Sequence, residues 1–147
     1  MNTSGDVRKQ IISLVRDFVK NEVKPVASKL DNDDEYPHEL VDMMKELGLF
    51  GITIPEEYGG SGFNFDDMSI LLEEMGRVGL SGPFFSTAIT GVQTLLLSGT
   101  EEQKKEILPK IGTGQIKISL AFNEKTGSFD ESEISNTTSI KNNEGWT

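Results

Sequence analysis

The sequence has 147 residues, of which 35% are hydrophobic and 26% are charged, and this fits one soluble domain large enough to bury a core. Its formal net charge of -10 disfavours a nucleic-acid-binding protein, because proteins that bind the phosphate backbone usually carry a basic face. The absence of cysteine excludes disulfides, thiolate metal sites and a cysteine nucleophile, and the single histidine excludes a metal site with several histidine ligands.

The first predicted element is a helix from Val7 to about Leu30, because apolar residues recur along it at helical spacing. Asp6 is a candidate cap at its start. Pro25 lies inside the pattern, where a proline removes a backbone donor and clashes with the preceding turn. A kink, or a pair of abutting helices, is therefore expected near Asn21–Pro25.

A second helix is predicted from Pro37, which suits a first helical turn, to Leu47, with Gly48 as its C-terminal stop. The only histidine, His38, is expected to be exposed in that first turn. Glycines at positions 59, 60 and 62 predict that the loop over residues 50–62 is tight and closely approached by other backbone.

Three more helices are predicted before the pattern changes. The third runs from about Phe65 to Val78, with Asn64 as its N-cap. The fourth, from Phe84 to about Leu97, is apolar all round, which predicts a central and buried position. The fifth begins after Thr100 with a capping box and ends near Ile111.

Beyond this point the apolar residues alternate with a period of two. Ile116–Glu124 is therefore predicted to be a strand, and Thr138–Lys141 and Gly145-Trp146 are candidates for two more. So few strands do not make an independent sheet, since isolated hairpins are marginal in water. We predict a mainly α fold, with an N-terminal helical domain over residues 1–114 and the beginning of an incomplete β-domain over residues 115–147.

None of the common catalytic motifs is found in the sequence, which lacks the glycine-rich nucleotide-binding motifs, the GxSxG elbow and HExxH. Three pairs of adjacent glutamates are present: Glu56-Glu57, Glu73-Glu74 and Glu101-Glu102. Neighbours on a helix do not face each other, so these pairs are predicted to be surface charge rather than acid/base dyads.

The location of the protein is predicted from what its first residues lack. Residues 1–6 show no basic patch followed by an apolar run, so they do not resemble a signal peptide. No segment approaches the ~20 apolar residues that a membrane span needs. A cytoplasmic protein without a membrane span is expected.

Several short motifs occur in an order and at a spacing that resemble one known family. They are Tyr36-Pro37, Glu46-Leu47-Gly48-Leu49, Ile54-Pro55-Glu56-Glu57-Tyr58-Gly59-Gly60-Ser61-Gly62, Glu73-Glu74-Met75-Gly76-Arg77, Gly99-Thr100-Glu101-Glu102-Gln103-Lys104 and Leu108-Pro109 with Gly114. Each motif is weak alone, but together they are highly specific. From about Phe18 onward the chain is similar to the acyl-CoA dehydrogenase family.

The resemblance implies an FAD-dependent flavoprotein that dehydrogenates an acyl-CoA thioester between its α- and β-carbons. Family members have an N-terminal helical domain, a middle β-domain and a C-terminal four-helix bundle that supplies the carboxylate base. No catalytic residue is therefore expected in this chain, which would be a fragment inactive by itself. The implied partners are an acyl-CoA substrate, electron-transferring flavoprotein, and further subunits of a homo- or hetero-oligomer (dimer or tetramer).

The same resemblance places FAD-binding residues at the first predicted strand and at the turn after it. They are Leu120, Phe122, Asn123, Glu124, Gly127 and Ser128. Ser128 is also expected to approach the CoA substrate, and the backbone N–H groups of a Gly-Ser turn can form an anion-binding nest. The sequence departs from the family pattern where Asn123 replaces Thr or Ser, Lys125 replaces Pro and Phe129 replaces Asp. An ordinary β-edge with a polar turn is the alternative interpretation.

The substrate-binding candidates on the fourth helix are Ser86, Thr87 and Thr90, which match the turn that lines the acyl-tail pocket in the family. Phe84 and Phe85 lie beside them and would shorten or reshape that pocket. In the alternative interpretation the two phenylalanines belong to the core, and the hydroxyl groups bond back to the helix.

Two further functions are compatible with the resemblance. One is a non-catalytic partner subunit of a mixed acyl-CoA dehydrogenase oligomer, in which the departures at Asn123-Glu124-Lys125 reflect lost flavin binding. The other is the monooxygenase branch of the same fold, in which reduced flavin meets oxygen. Visible flavin absorbance separates the partner subunit from the dehydrogenase, and dependence on an acyl-CoA rather than on oxygen separates the dehydrogenase from the monooxygenase.

Overall fold

The computed structural model describes residues 4–80, 82–121, 137–143 and 145–146, and these residues are mainly helical, as the sequence predicts. No helix among them has both the length and the apolar character required to cross a membrane. The α-helices, in chain order, are α1 Ser4–Phe18, α2 Lys24–Asp33, α3 His38–Glu46, α4 Phe65–Gly76, α5 Val92–Ser98 and α6 Glu101–Gly112.

A π-helical turn over Val19–Val23 joins α1 to α2, and it interrupts the α-helix where the sequence predicts a kink or two abutting helices. The Lys24 N–H donates to the carbonyl oxygen of Val19, five residues back. Pro25 follows in the first turn of α2, where its missing N–H removes no helical bond that the turn needs. The wide turn therefore lets the chain remain helical through the proline.

Gly48 lies just beyond the end of α3 and has a positive φ of 69°. This is the backbone conformation expected of the predicted C-terminal stop. Short 3-10 turns follow at Leu49–Gly51 and Glu56–Tyr58. A Cβ atom at Gly60 would overlap the backbone carbonyl group of Ile54. The close approach predicted for this loop is therefore confirmed, and it explains why glycine occupies position 60.

Two capping boxes fix the starts of α4 and α6. The Asp67 N–H donates to Asn64 Oδ1 at 3.0 Å, and the Asn64 N–H donates to Asp67 Oδ2 at 3.3 Å. In α6 the Gln103 N–H donates to Thr100 Oγ1 at 3.3 Å, and the Thr100 N–H donates to Gln103 Oε1 at 2.9 Å. Both predicted caps are confirmed, and each satisfies two backbone donors that a helix start leaves free.

Two groups of buried apolar side chains stabilise the described part of the chain. The larger cluster joins α1, α3, α4 and the start of the fourth predicted helix, and it contains Val15, Phe18, Val19, Val23, Leu40, Val41, Met44, Leu49, Phe50, Ile52, Met68, Leu71, Met75, Phe84, Ala88 and Ile89. The smaller cluster joins the loop after α3 to α5 and α6, and it contains Ile54, Tyr58, Val92, Leu108 and Ile111.

The fourth predicted helix begins as a π-helical stretch over Phe85–Gly91 and continues as α5. Its prediction as buried on all sides is correct for its middle, where Ala88 and Val92 are fully buried. At its two ends the prediction is wrong, because Phe85 is 58% exposed and Leu97 is 83% exposed. An apolar composition predicts burial only where another element covers the helix, and none of the described residues covers these two side chains.

The predicted strand Ile116–Glu124 pairs with no other strand over its described part, residues 116–121, and to that extent the prediction is wrong. The alternation that suggested it is nevertheless present, since Ile116 and Ile118 are partly buried against the smaller cluster while Lys117 is exposed. A strand also needs a hydrogen-bonded neighbour, and alternation alone does not supply one. The strand predicted at Thr138–Lys141 is present only from Lys141, since residues 138–140 are not in a strand. The observed β1, Lys141–Asn142, is antiparallel to β2, Gly145–Trp146, and the second of these has the predicted bounds.

Glu74 is buried, contrary to its prediction as surface charge, and it ties α1 to α4. Arg16 donates to Glu74 Oε1 from Nη2 at 2.6 Å and from Nε at 3.2 Å. The Arg77 Nε atom lies 3.5 Å from the other carboxylate oxygen. The hydrogen bond from Arg16 lowers the pKa of Glu74 below its ordinary value, and this effect outweighs the opposite effect of burial.

We expect Glu74→Gln to lower the thermal midpoint at neutral pH, because Arg16 would then face an amide instead of a carboxylate. Since the pKa of Glu74 is lowered by folding, the ion pair stabilises the fold above the ordinary value of 4.5 and is lost as the pH falls through the folded-state pKa. The difference in midpoint between wild type and variant should therefore shrink in acid.

Circular dichroism melting over a pH series measures this difference. Glu73→Gln is the matched control, because the Glu73 side chain is 67% exposed and its partner Arg77 directly follows the same helix, so that this pair joins no second element. Equal losses for the two variants, or a difference that persists unchanged in acid, would contradict the assigned role of Glu74.

Candidate functional site

The predicted substrate-binding residues Ser86, Thr87 and Thr90 all lie on the π-helical stretch Phe85–Gly91. The Ser86 hydroxyl donates to the carbonyl oxygen of Pro83 at 3.1 Å, and the Thr90 hydroxyl donates to that of Ser86 at 2.7 Å. Both hydroxyl groups therefore bond to backbone carbonyl groups of the preceding turn. The sequence analysis gave this arrangement as the alternative to a role in substrate binding.

Thr87 makes a different contact and is fully buried. Its Oγ1 donates to the carbonyl oxygen of Ile118 at 3.0 Å and accepts from the Ile118 N–H at 3.3 Å. One side chain thus satisfies both backbone groups of a residue that is 31 positions away in the sequence. The sequence analysis did not identify this contact, because nothing local in the sequence indicates which residue a buried hydroxyl will reach.

Gly91 allows Ile118 to lie close to the fourth helix. A Cβ atom at position 91 would overlap the side chain of Ile118 and would come within 3.1 Å of the carbonyl oxygen of Ser86. Glycine inside a helix costs about 0.5–1 kcal/mol relative to alanine, so its presence there calls for a packing reason. The close approach of Ile118 provides that reason, and a glycine inside a strongly apolar helical pattern was the signal that could have revealed it.

Among the predicted FAD-binding residues, Leu120 is the one that the structure describes. It follows the Thr87–Ile118 contact by two positions and is 48% exposed. Phe122, Asn123, Glu124, Gly127 and Ser128 lie outside the described residues, so their predicted roles stay predictions. The structure therefore places Ile118, two residues before Leu120, against the helix that carries the predicted substrate residues.

A small apolar hollow lies at the start of the fourth helix. It has a volume of about 190 Å³, and its lining residues are Leu72, Met75, Gly76, Gly79, Leu80, Gly82, Phe84 and Phe85. Phe84 is buried and meets Phe50 edge to face at 5.8 Å between ring centroids, whereas Phe85 is largely exposed. The three predicted hydroxyl-bearing residues are not among those that line this hollow.

We expect Thr87→Val to lower the free energy of unfolding by about 1–3 kcal/mol, because it preserves shape but leaves the N–H and carbonyl groups of Ile118 without their partner. The Ile118 amide should also exchange faster with solvent. Urea unfolding and amide hydrogen exchange measure the two effects.

Thr94→Val is the control. The Thr94 hydroxyl donates to the carbonyl oxygen of Thr90, in the preceding turn, at 2.7 Å, and its loss should cost under about 1 kcal/mol. Equal costs for the two variants would contradict a special role for Thr87.

Comparison with known proteins identifies the family. A family profile described as "Acyl-CoA dehydrogenase, N-terminal domain" matches residues 6–115. An acyl-CoA dehydrogenase of Bacillus subtilis (strain 168) is 33% identical over 132 residues, which are 88% of this chain and 35% of that protein. The caffeyl-CoA reductase-Etf complex subunit CarC of Acetobacterium woodii is 37% identical over 137 residues, which are 90% of this chain and 36% of that protein.

A third relative, the 3-(aryl)acrylate reductase of Clostridium sporogenes, is 34% identical over 129 residues, which are 86% of this chain and 34% of that protein. The chain thus spans about a third of the length of these curated relatives.

Solved structures agree with this assignment. Acyl-CoA dehydrogenase complexed with FAD from Bacillus anthracis has a TM-score of 0.76 and 33% identity, covering 98% of this chain and 24% of that one. Butyryl-CoA dehydrogenase from Megasphaera elsdenii has a TM-score of 0.80 at 24% identity, covering 97% of this chain and 38% of that one, and supports the fold alone. With the family profile matching most of its length, this chain belongs to the acyl-CoA dehydrogenase family.

Proposed function

We propose that this chain is the N-terminal helical domain, with the beginning of the middle β-domain, of an FAD-dependent enzyme that performs α,β-dehydrogenation of acyl-CoA thioesters. The observation that carries the proposal is the match of residues 6–115 to the acyl-CoA dehydrogenase N-terminal profile. The two-way hydrogen bond between Thr87 and Ile118 supports it, because it joins the helix that bears the predicted substrate residues to the segment that leads to the predicted cofactor residues. We keep the proposed division into residues 1–114 and 115–147, which is supported by the end of the family match at residue 115.

The described start of the cofactor segment is compatible with a flat ring system. Leu120 offers an exposed apolar surface, and the small side chains of Ser119 and Ala121 beside it are exposed as well. Leu120, with Phe122, Asn123, Glu124, Gly127 and Ser128, would hold FAD. When bound, FAD supplies the acceptor for the hydride that leaves the β-carbon of the acyl thioester. The part of this chain is to bind and orient, with Ser86, Thr90 and Ser128 on the substrate side, while the buried Thr87 holds the segment that leads to Leu120.

The carboxylate that removes the α-proton is proposed to lie outside this sequence, since family members carry it in a C-terminal bundle. The 147-residue chain alone should therefore be inactive. Electron-transferring flavoprotein is the proposed electron acceptor, and this is supported by a relative that is named as a subunit of an Etf complex. Assembly into a homo- or hetero-oligomer and a cytoplasmic location are also proposed.

A second candidate function is the reverse reaction, the reduction of a carbon–carbon double bond. It is favoured by the names of relatives, which include a 3-(aryl)acrylate reductase, a caffeyl-CoA reductase complex and an acryloyl-CoA reductase (NADH). The bond that changes is the same, so the N-terminal domain could serve either direction. The test compares two rates in the assembled enzyme from its native source: the reoxidation of its reduced flavin by an enoyl-CoA, and the reduction of its oxidised flavin by the saturated acyl-CoA. A faster reoxidation would favour the reductase.

The proposal is tested with a chimera in which residues 1–147 replace the matching N-terminal third of the Bacillus subtilis acyl-CoA dehydrogenase. We expect the chimera to purify with visible flavin absorbance, and we expect an acyl-CoA to bleach that absorbance under anaerobic conditions. The 147-residue chain alone should bind no flavin and show no activity. Asn123→Ala should lower the FAD content of the chimera, because it removes a side chain predicted to bond the flavin.

Asn143→Ala is the matched control, since Asn143 lies exposed in the turn of the β1–β2 hairpin and should leave the FAD content unchanged. A folded chimera without flavin would overturn the dehydrogenase proposal and favour the non-catalytic partner subunit. Flavin that an acyl-CoA does not bleach, but whose chemically reduced form regains its absorbance rapidly when oxygen is admitted, would favour the monooxygenase branch instead.

A further inference from the structure

The segment that leads from α6 to the predicted cofactor residues is fixed at two points. At its start, the N–H groups of Gln115 and Ile116 donate to the carbonyl oxygen of Lys110 at 2.9 and 3.2 Å. Further along, Thr87 binds both backbone groups of Ile118. Lys117 lies between these points, so its side chain leaves the backbone from a defined position.

Lys117 uses this position to reach a distant aromatic ring. Its Nζ atom lies 5.1 Å from the centroid of the Tyr36 ring, within the range of a cation–π interaction. Ile116 and Ile118, on either side of it in sequence, pack against the smaller core cluster. Because side chains alternate along an extended segment, Lys117 is directed away from that cluster. The segment is thus held from two directions.

Tyr36 is itself held in place at the start of α3. Its ring meets the ring of His38 edge to face, with centroids 4.6 Å apart and an interplanar angle of 63°. The His38 N–H donates to the carbonyl oxygen of Tyr36 at 2.9 Å. Pro37, between the two aromatic residues, is buried. The ring that faces Lys117 is therefore part of a fixed structure, although 41% of Tyr36 is exposed.

A negative charge on α3 adds to the attraction for Lys117. The hydrogen bond from Lys45 to Asp42, 2.6 Å long, is the main cause that lowers the pKa of Asp42, and Lys117 contributes weakly in the same direction. The attraction of Asp42 for the Lys117 ammonium group is weak, because Lys45 is the main partner of this carboxylate. Ring and carboxylate both favour a cation at this point.

We propose that Tyr36 and Lys117 are positioning residues, which hold residues 116–118 against α3 and thereby set where the predicted FAD-binding segment begins. The link between this contact and FAD binding rests on the function proposed above. The contact between Tyr36 and Lys117 does not depend on that function. A cation over an exposed aromatic ring changes an equilibrium constant by a factor of about two to five. Loss of either partner should therefore loosen the segment by about that factor.

The test is amide hydrogen exchange at Ile118 in the 147-residue chain. Lys117→Met and Tyr36→Leu should each raise the opening constant of this amide about two- to fivefold, and the double variant should raise it no further than either single variant. Lys117→Arg and Tyr36→Phe keep a cation and a ring, and both should behave as wild type. Lys105→Met, at an exposed lysine on α6, is the control for a general effect of charge.

Exchange in Lys117→Met equal to wild type would overturn the proposal. An equal rise of the opening constant in Lys105→Met would also overturn it. The same holds if the double variant shows the full sum of the two single effects. A second measurement is the FAD dissociation constant of the chimera. Lys117→Met should raise this constant by the same factor, and Lys117→Arg should leave it unchanged. An unchanged constant would overturn the link to the cofactor. A wild-type chimera that binds no FAD would overturn the proposed function and that link together, while the exchange result would still decide the contact.

Discussion

A backbone N–H or carbonyl group that is removed from water needs a partner, and Ile118 finds both of its partners without a neighbouring strand. Thr87 takes the place of that strand, since one hydroxyl group donates to and accepts from Ile118. Gly91 leaves room for the Ile118 side chain against the same helix. The course of the chain after α6, and with it the place where the predicted cofactor segment begins, depends on this contact.

The fourth helix can carry this contact because it belongs to both core clusters. Ala88 and Ile89 are part of the larger cluster, whereas Val92, one turn later, is part of the smaller one. Thr87 therefore lies where the two clusters meet. The helix that carries it is packed into both clusters. The Arg16–Glu74 ion pair ties α1 to α4, two helices that contribute to the larger cluster. The packed helical domain thus fixes where residues 116–118 run, which is what the proposed cofactor site requires.

Family membership and activity rest on different observations. The match to the N-terminal domain over residues 6–115 shows the family, and the likeness to solved structures supports the same fold. The proposed activity depends on predicted cofactor residues, of which the described part of the chain includes Leu120 alone. Relatives named as dehydrogenases and as reductases share this domain, so the domain by itself does not distinguish the two activities.

The sequence by itself determined the features that arise from a few neighbouring residues. The capping boxes at Asn64 and Thr100, the helix interruption before Pro25 and the stop at Gly48 all follow from local backbone chemistry, as do the order of the helices and the family motifs. Only the tertiary structure decided that Glu74 is buried, that Leu97 is exposed and that Thr87 binds Ile118. These outcomes depend on which distant element covers each side chain, and periodicity indicates a buried face without naming the partner that buries it.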